Sequence, residues 1–136
     1  MLFAINAAAD EHWLLFSAVL SLCVGSFINV VVYRLPIMLE REMETAQAER
    51  FDLFWPRSFC PSCTKKLSAF DNIPLLSWLL LRGRCRYCRR PIAVRYPLLE
   101  LFLMLMGITL AWRLGIGVDW FFMLALVALL LALAAI

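Results

Sequence analysis

"WLLFSAVLSLCVGSFINVVVY", from Trp13 to Tyr33, is a stretch of 21 residues without a formally charged side chain. A helix of this length, at about 1.5 Å per residue, crosses the roughly 30 Å hydrocarbon core of a bilayer. The rest of the 136-residue chain agrees, because 64% of its residues are hydrophobic, only 17% are charged and its mean hydropathy is +0.84. This composition excludes an ordinary water-soluble domain and predicts an integral membrane protein.

Two further apolar blocks follow towards the C-terminus. Residues 97–112 contain one acidic residue, Glu100, and residues 120–136 contain no polar side chain. Residues 113–119 ("RLGIGVD") separate the two blocks, and two glycines with flanking charges are typical of a turn. The sequence therefore predicts transmembrane helices at 13–33, 97–112 and 120–136. Because a terminal carboxylate inside hydrocarbon is costly, we expect the third span to be truncated.

A polar region of 63 residues, 34–96, lies between the first and second spans and holds 12 of the 13 Lys and Arg residues. An excess of Lys and Arg marks the cytoplasmic side of a membrane protein. Residues 1–12 contain Asp10 and Glu11 but no Lys or Arg, which agrees with a periplasmic N-terminus. We therefore expect residues 34–96 to form a cytoplasmic domain and residues 113–119 to form a periplasmic turn.

The cytoplasmic region carries two Cys-x-x-Cys pairs, Cys60 with Cys63 and Cys85 with Cys88. The separation of the pairs is close to that of zinc ribbons, in which four thiolates hold one zinc ion tetrahedrally. Two disulfides or a redox-active pair are the alternatives, and a reducing cytosol favours the metal. A four-cysteine site leaves no coordination position for water, so the zinc would be structural. No internal repeat is recognisable in the sequence.

These predictions combine into one fold class. We expect an α-helical integral membrane protein with three transmembrane helices and a cytoplasmic, four-cysteine, zinc-ribbon-like insertion between the first and second helices.

Four ordered motifs resemble a known family. They are "GSFINVVVYRLP" (25–36), the two Cys-x-x-Cys pairs, "NIPLLSWLLLRGRC" (72–85) and "RYPLLE" (95–100). Together they resemble the prepilin leader peptidases/N-methyltransferases, which are aspartic peptidases of the bacterial inner membrane. The resemblance implies cleavage of basic leaders from type IV prepilins or pseudopilins, for a type IV pilus or type II secretion system. It also implies methylation of the new N-terminus with S-adenosylmethionine.

The resemblance also implies that the two catalytic aspartates lie beyond Ile136. In the family one aspartate is at the cytoplasmic edge after the third span and the other is in a Gly-x-Gly-Asp motif. In "GIGVD" (115–119) Asp119 stands one residue too far from the glycines, so we interpret it as a turn residue. We expect no catalytic residue in this chain and no prepilin cleavage by the chain alone. The alternative function is a non-catalytic, membrane-anchored zinc module that binds prepilins or partner proteins.

Four other residues are candidates for binding or catalysis. Gly25 and Asn29 are four residues apart, so they share one helix face, which could receive a prepilin helix or pack against another span. Glu100 is an intramembrane carboxylate, and either a functional role or an interfacial partner such as Arg95 would explain it. Gly83 precedes Cys85 by two residues and would form the turn of the cysteine hairpin or take part in methyl transfer.

Two charged segments and a fifth cysteine lie outside these motifs or beside them. The acidic run 39–49 would attract a basic leader or form a solvated helix face. Five arginines surround the second cysteine pair, and their position beside the membrane favours phospholipid headgroups over nucleic acid as a partner. Cys23 has no cysteine partner and is predicted to be a buried, inert thiol. The sequence does not determine an oligomeric state.

Overall fold

A computed structural model describes residues 7–43 and 51–136 of the chain. Its four α-helices are α1 (Ala7–Met43), α2 (Leu76–Leu80), α3 (Arg95–Leu114) and α4 (Val118–Ala135), and a short 3-10 helix spans Ala69–Asn72. Within these residues, three helices are long and apolar enough to cross a membrane, at His12–Arg41, Arg95–Leu114 and Val118–Ala135. The described residues contain no β-strand, so the predicted helical membrane fold is confirmed.

Helix α1 continues well past the apolar block that ends at Tyr33. It has 37 residues and contains Pro36, so at about 1.5 Å per residue it is roughly 55 Å long. A length beyond the roughly 30 Å core carries its C-terminal turns out of the hydrocarbon. The acidic run 39–49 therefore begins in helix, with Glu40 and Arg41 exposed, while residues 44–50 lie outside the described part of the chain.

Small side chains let α1 and α3 cross closely. Ser17, Ser21 and Gly25 follow one another at intervals of four on α1, and all three are buried. Opposite them, a Cβ built on Gly107 of α3 would overlap the Ser21 hydroxyl. Because lipid tails are as apolar as leucine, close packing of small residues is a main source of helix association in a bilayer.

Helix α4 packs beside this pair through residues that also recur every four positions. Trp120 is fully buried, and its indole Nε1 donates a hydrogen bond to the Gly107 carbonyl at 2.9 Å. Gly115, with φ at +73°, makes the turn between α3 and α4. The shared apolar core contains Ile28, Val32, Leu103, Ala111, Trp120, Leu124, Ala128 and Ala132.

Residues 51–94 form the polar domain between α1 and α3, which we call the cysteine domain. Two isolated β-bridges, Phe59 with Lys66 and Arg84 with Pro91, close its two cysteine hairpins. The domain is connected to the end of α1 and the start of α3, and the α3–α4 turn lies at the other end of the helices. The cysteines are therefore held at one end of the helix bundle.

Candidate functional site

The two cysteine hairpins have the same backbone hydrogen bonds, offset by 25 residues. In each hairpin the N–H of the first cysteine donates to the carbonyl five residues later, Cys60 to Lys65 at 3.0 Å and Cys85 to Arg90 at 2.9 Å. The residue after each second cysteine has a positive φ, 56° at Thr64 and 59° at Arg89. The structure thus contains an internal repeat that the sequence analysis missed, and the constant offset of the cysteine pairs was its only signal.

The hairpins bring four sulfur atoms together. The Sγ atoms of Cys60, Cys63, Cys85 and Cys88 all lie within 4.8 Å of one another, and those of Cys60 and Cys88 are 3.8 Å apart. Four sulfurs at the zinc–sulfur distance of about 2.3 Å in a tetrahedron would be separated by about 3.8 Å. All four cysteines are free thiols, whereas a disulfide needs about 2.05 Å between sulfurs. The donor set and its spacing fit a tetrahedral metal ion.

The hairpin backbone also changes the acidity of the thiols. Burial raises the pKa of Cys60, but the N–H groups of Ser62 and Cys63 and the neighbouring thiols lower this pKa to about 6. The Arg90 N–H lowers the pKa of Cys88, whereas desolvation and the three other thiols raise it to about 11. Because the thiolate is the metal-binding form of cysteine, the hairpin N–H groups favour the ionised state in which the cluster can bind a metal.

Gly83 shapes the second hairpin through its backbone. Its φ is +66°, and its carbonyl accepts a hydrogen bond from the Ile92 N–H at 2.7 Å. A Cβ at this position would lie 2.8 Å from Cζ2 of Trp78, so the indole ring lies directly against the glycine. The Trp78 indole Nε1 donates to the Ile92 carbonyl at 3.3 Å. The structure thus gives Gly83 the predicted turn position.

An ion pair links the second hairpin to the 3-10 helix. The Arg86 Nε lies 2.7 Å from Asp71 Oδ1, and the Asp71 side chain is only 2% exposed. The Ser68 hydroxyl donates to the other carboxylate oxygen at 2.9 Å. Burial raises the pKa of Asp71, but hydrogen bonds from Arg86 and Ser68 and the charge of Arg86 outweigh this effect. The net result is a pKa below the usual range of an aspartate. Asp71 therefore stays ionised and ties the 3-10 helix to the cysteine cluster.

A second polar cluster lies among the membrane helices. Asn29 of α1 donates from Nδ2 to the Tyr96 carbonyl at 3.0 Å and to Glu100 Oε1 at 3.3 Å, both on α3. A Cβ on Gly25 would lie 2.8 Å from the Glu100 Cα, so the absence of a side chain at Gly25 allows α3 to approach α1 closely at this position. The structure therefore brings Gly25, Asn29 and Glu100 together, and α3 covers the α1 face that the first two residues share.

Glu100 has a further partner in the cysteine domain. The Leu75 N–H donates to Glu100 Oε2 at 2.7 Å. Leu75 has φ 57° and ψ −49°, and the Leu76 N–H returns to the Pro74 carbonyl, which is the geometry of a γ-turn. A leucine in this region of φ and ψ is unusual and needs support from its surroundings. Glu100 provides that support and fixes the start of α2 against α3.

A cavity of about 450 Å³ separates the two clusters. It is lined on the side of the membrane helices by Asn29, Tyr33 and Glu100. On the side of the cysteine domain it is lined by Trp78 and by the first cysteine of each hairpin, Cys60 and Cys85. This volume falls in the range of small-molecule sites. Since polar and aromatic groups face it from both sides, it can bind a ligand that carries both kinds of surface.

The remaining sequence predictions have mixed outcomes. Cys23 is exposed on α1, so the prediction of a buried thiol was wrong, because it lies outside the face that α3 and α4 cover. Asp119 was predicted to be a residue of the connecting turn, but it lies in helix α4, which begins at Val118, and it is exposed there. The arginines around the second cysteine pair are all exposed, at positions 82, 84, 86, 89 and 90.

Comparison with known proteins places these features in a family. The family described as "Bacterial Peptidase A24 N-terminal domain" matches residues 19–114. Several relatives are named "Prepilin leader peptidase/N-methyltransferase". The one from Pseudomonas putida is 43% identical over 99% of this chain and 50% of its own length. The one from Aeromonas hydrophila is 46% identical over 86% of this chain and 45% of its own length. The relative from Pectobacterium carotovorum is 54% identical over 64% of this chain and 34% of its own length.

The matched region contains both of the clusters described above, the four thiols and the Asn29–Glu100 pair. The chain spans about half the length of the first two of these relatives. No solved structure matches the chain. The match to residues 19–114, together with the named relatives, shows that this chain belongs to the prepilin leader peptidase/N-methyltransferase family.

Proposed function

We propose that this chain forms the metal-bearing, membrane-anchored N-terminal region of a prepilin leader peptidase/N-methyltransferase. The complete enzyme would cleave type IV prepilins or pseudopilins and methylate their new N-termini, in a pilus or secretion system of the bacterial inner membrane. The observation that carries this proposal is the four-thiol cluster, held by a domain that Glu100 ties to α3.

Zinc is the metal that suits this donor set. Four thiolates prefer zinc among the common divalent ions, and a closed tetrahedral site supports the fold. Cys60, Cys63, Cys85 and Cys88 would hold the ion and fix the two hairpins to each other. Since no ligand position would be left for water, the ion would take no part in peptide hydrolysis.

The peptidase aspartates would come from the part of the relatives that this chain does not match. Aspartic proteolysis requires two carboxylates that share a proton at one site. In the described residues, Asp71 is paired with Arg86, Asp52 accepts hydrogen bonds from the N–H groups of Phe54 and Trp55, and Asp119 is at the far end of the helices. These surroundings favour structural roles for all three, so this chain alone would not cleave.

The cavity between the two clusters is the proposed place of substrate contact within this chain. Asn29 and Glu100 form its membrane side, and Gly25 lets α3 bring Glu100 into position. Gly83 does not line the cavity but supports Trp78, which does. We propose that any effect of Gly83 on methyl transfer acts through the position of Trp78. The methyl donor of the complete enzyme would be S-adenosylmethionine.

A cleavage assay tests this function. The chain, purified in lipid nanodiscs, would be incubated with a prepilin, and mass spectrometry would follow the loss of a mass equal to the leader. We expect no loss with the chain alone and leader-sized loss when the C-terminal half of a relative is co-expressed with it. Specific cleavage by the chain alone that survives Asp119→Asn would contradict the proposal.

The same assay distinguishes the enzyme from a second candidate function, a non-catalytic zinc module. A non-catalytic zinc module would bind prepilin, but the C-terminal half of a relative would not restore cleavage. The observation in favour of this candidate is that Asp52, Asp71 and Asp119 have separate surroundings rather than one shared site. Restored cleavage, together with its loss in Cys60→Ser, would support the enzyme.

A further inference from the structure

Two apolar segments of the cysteine domain have large side chains that the described residues do not cover. The first, which we call the Phe54 segment, consists of Phe54 and Trp55, whose exposed fractions are 80% and 56%. The second, the α2 face, consists of Leu76, Leu79 and Leu80, with exposed fractions of 48%, 63% and 74%. Water-facing domains rarely expose such side chains in groups, so these segments indicate contact with an apolar phase.

The Phe54 segment lies beside the apolar part of α1. The ring of Phe54 stacks on that of Phe27, with the centroids 6.4 Å apart. Phe27 precedes Arg34 by seven residues, which places it about 10 Å further along the helix into the apolar block. The Arg34 guanidinium donates to the carbonyls of Asp52 and Pro56, at 2.7 and 2.6 Å. Arg34 thus holds both ends of the loop while its middle follows α1 into the span.

The α2 face lies beside the first turns of α3. The Leu75 N–H, immediately before α2, is bonded to Glu100 Oε2, and Glu100 is five residues into the span that begins at Arg95. Five residues correspond to about 7 Å along a helix. Helix α2 therefore begins alongside the span rather than above it. Leu76, Leu79 and Leu80 share the exposed face of this short helix, and since the helix starts beside the span, we take lipid as the surrounding next to this face.

Exposed arginines follow both segments along the chain. Arg57 comes two residues after Trp55, and Arg82 comes two residues after Leu80. An apolar group at the acyl boundary with a cation beside it, at headgroup level, is the arrangement of interfacial membrane segments.

We propose that the Phe54 segment and the α2 face are embedded among the lipid acyl chains of the leaflet next to the cysteine domain. The domain is then anchored at two sides of the helix bundle, and the cavity between Asn29 and Trp78 is held at the membrane boundary. This inference goes beyond the proposed function and does not depend on zinc binding or on cleavage.

Photocrosslinking in nanodiscs tests the α2 face. The amino acid p-benzoylphenylalanine is placed at Leu79 or Leu80, with Leu105 of α3 as the lipid-facing reference and Thr64 of the first hairpin as the water-facing control. We expect lipid adducts at positions 79 and 80 at a frequency close to that at 105 and at least threefold above that at 64. Adducts to a second copy of the chain, or a frequency no higher than at 64, would overturn the proposal.

Native tryptophan fluorescence tests the Phe54 segment without disturbing α2. The difference between the unmodified chain and Trp55→Phe isolates the emission of Trp55, and the substitution keeps an aromatic ring. We expect lipids brominated on the acyl chains to quench this difference signal, and acrylamide in the aqueous phase to have little effect on it. Quenching by acrylamide without quenching by brominated lipid would show that Trp55 faces water and would overturn the proposal.

Discussion

At the scale of single residues, glycines mark the places where backbones or rings approach most closely. Gly83 combines a positive φ of 66° with a Trp78 ring carbon 2.8 Å from where a Cβ would be. Gly117 resembles it in sequence setting, near a turn, but it has no heavy atom within 4 Å of such a Cβ. The two positions therefore form a pair for mutation in which only Gly83 combines a positive φ with a neighbouring ring, because the backbone of Gly117 is extended, with φ at −152°.

We expect Gly83→Ala to destabilise the cysteine domain by about 1–3 kcal/mol, because alanine at positive φ is strained and its methyl group would displace the indole. The measurement is thermal unfolding of the chain in detergent, followed by the near-ultraviolet signal of tryptophan. Gly117→Ala is the control and should change the midpoint little. Equal effects of the two substitutions would show that the Trp78 contact does not limit stability.

Glu100 shows what the sequence could and could not predict at this scale. An intramembrane carboxylate was recognisable as a candidate from its position alone. Its partner in the cysteine domain is a backbone N–H, that of Leu75, which is 25 residues away. Every non-proline residue has such a group, so no residue type or spacing marks this one. The link between the cysteine domain and α3 therefore became visible only in three dimensions.

At the scale of elements, the three apolar helices and the two cysteine pairs followed directly from hydropathy and spacing. The helices extend beyond the predicted segments, to Met43 for α1 and from Arg95 to Leu114 for α3. Backbone hydrogen bonds of a helix can continue past the last apolar residue, so polar residues at the helix ends are also helical. The exposure of Cys23 was missed because it depends on which faces of α1 the other spans cover.

The close packing of α1 and α3 where they cross can be tested by mutation. Gly107→Val should weaken helix packing by about 1–3 kcal/mol, since its side chain would overlap Ser21 on α1. Ala125→Val adds a comparable bulk at an exposed position of α4 and is the control. The measurement is the fraction of chain that remains monodisperse in detergent on heating. A loss in Ala125→Val equal to that in Gly107→Val would contradict close packing at the crossing.

At the scale of the whole molecule, we expect the cysteine domain and the α3–α4 turn to lie on opposite sides of the membrane. An alkaline phosphatase reporter, active only in the periplasm, should be silent when fused after Thr64 and active when fused after Gly117. The reason is the arginine excess of residues 34–96, which favours retention in the cytoplasm. The reverse pattern would place the cysteines in an oxidising compartment and favour disulfides over zinc.

The metal content of the purified chain tests whether the four clustered thiols bind zinc. We predict one zinc ion per chain by native mass spectrometry, after purification in detergent with a reducing agent. Cys60→Ser and Cys88→Ser should lose the ion and destabilise the cysteine domain, because a metal that binds only the folded state contributes to folding. Cys23→Ser should keep the ion, since Cys23 is on α1 and outside the four-sulfur cluster. A folded, fully reduced chain without zinc would contradict zinc binding by the four thiols.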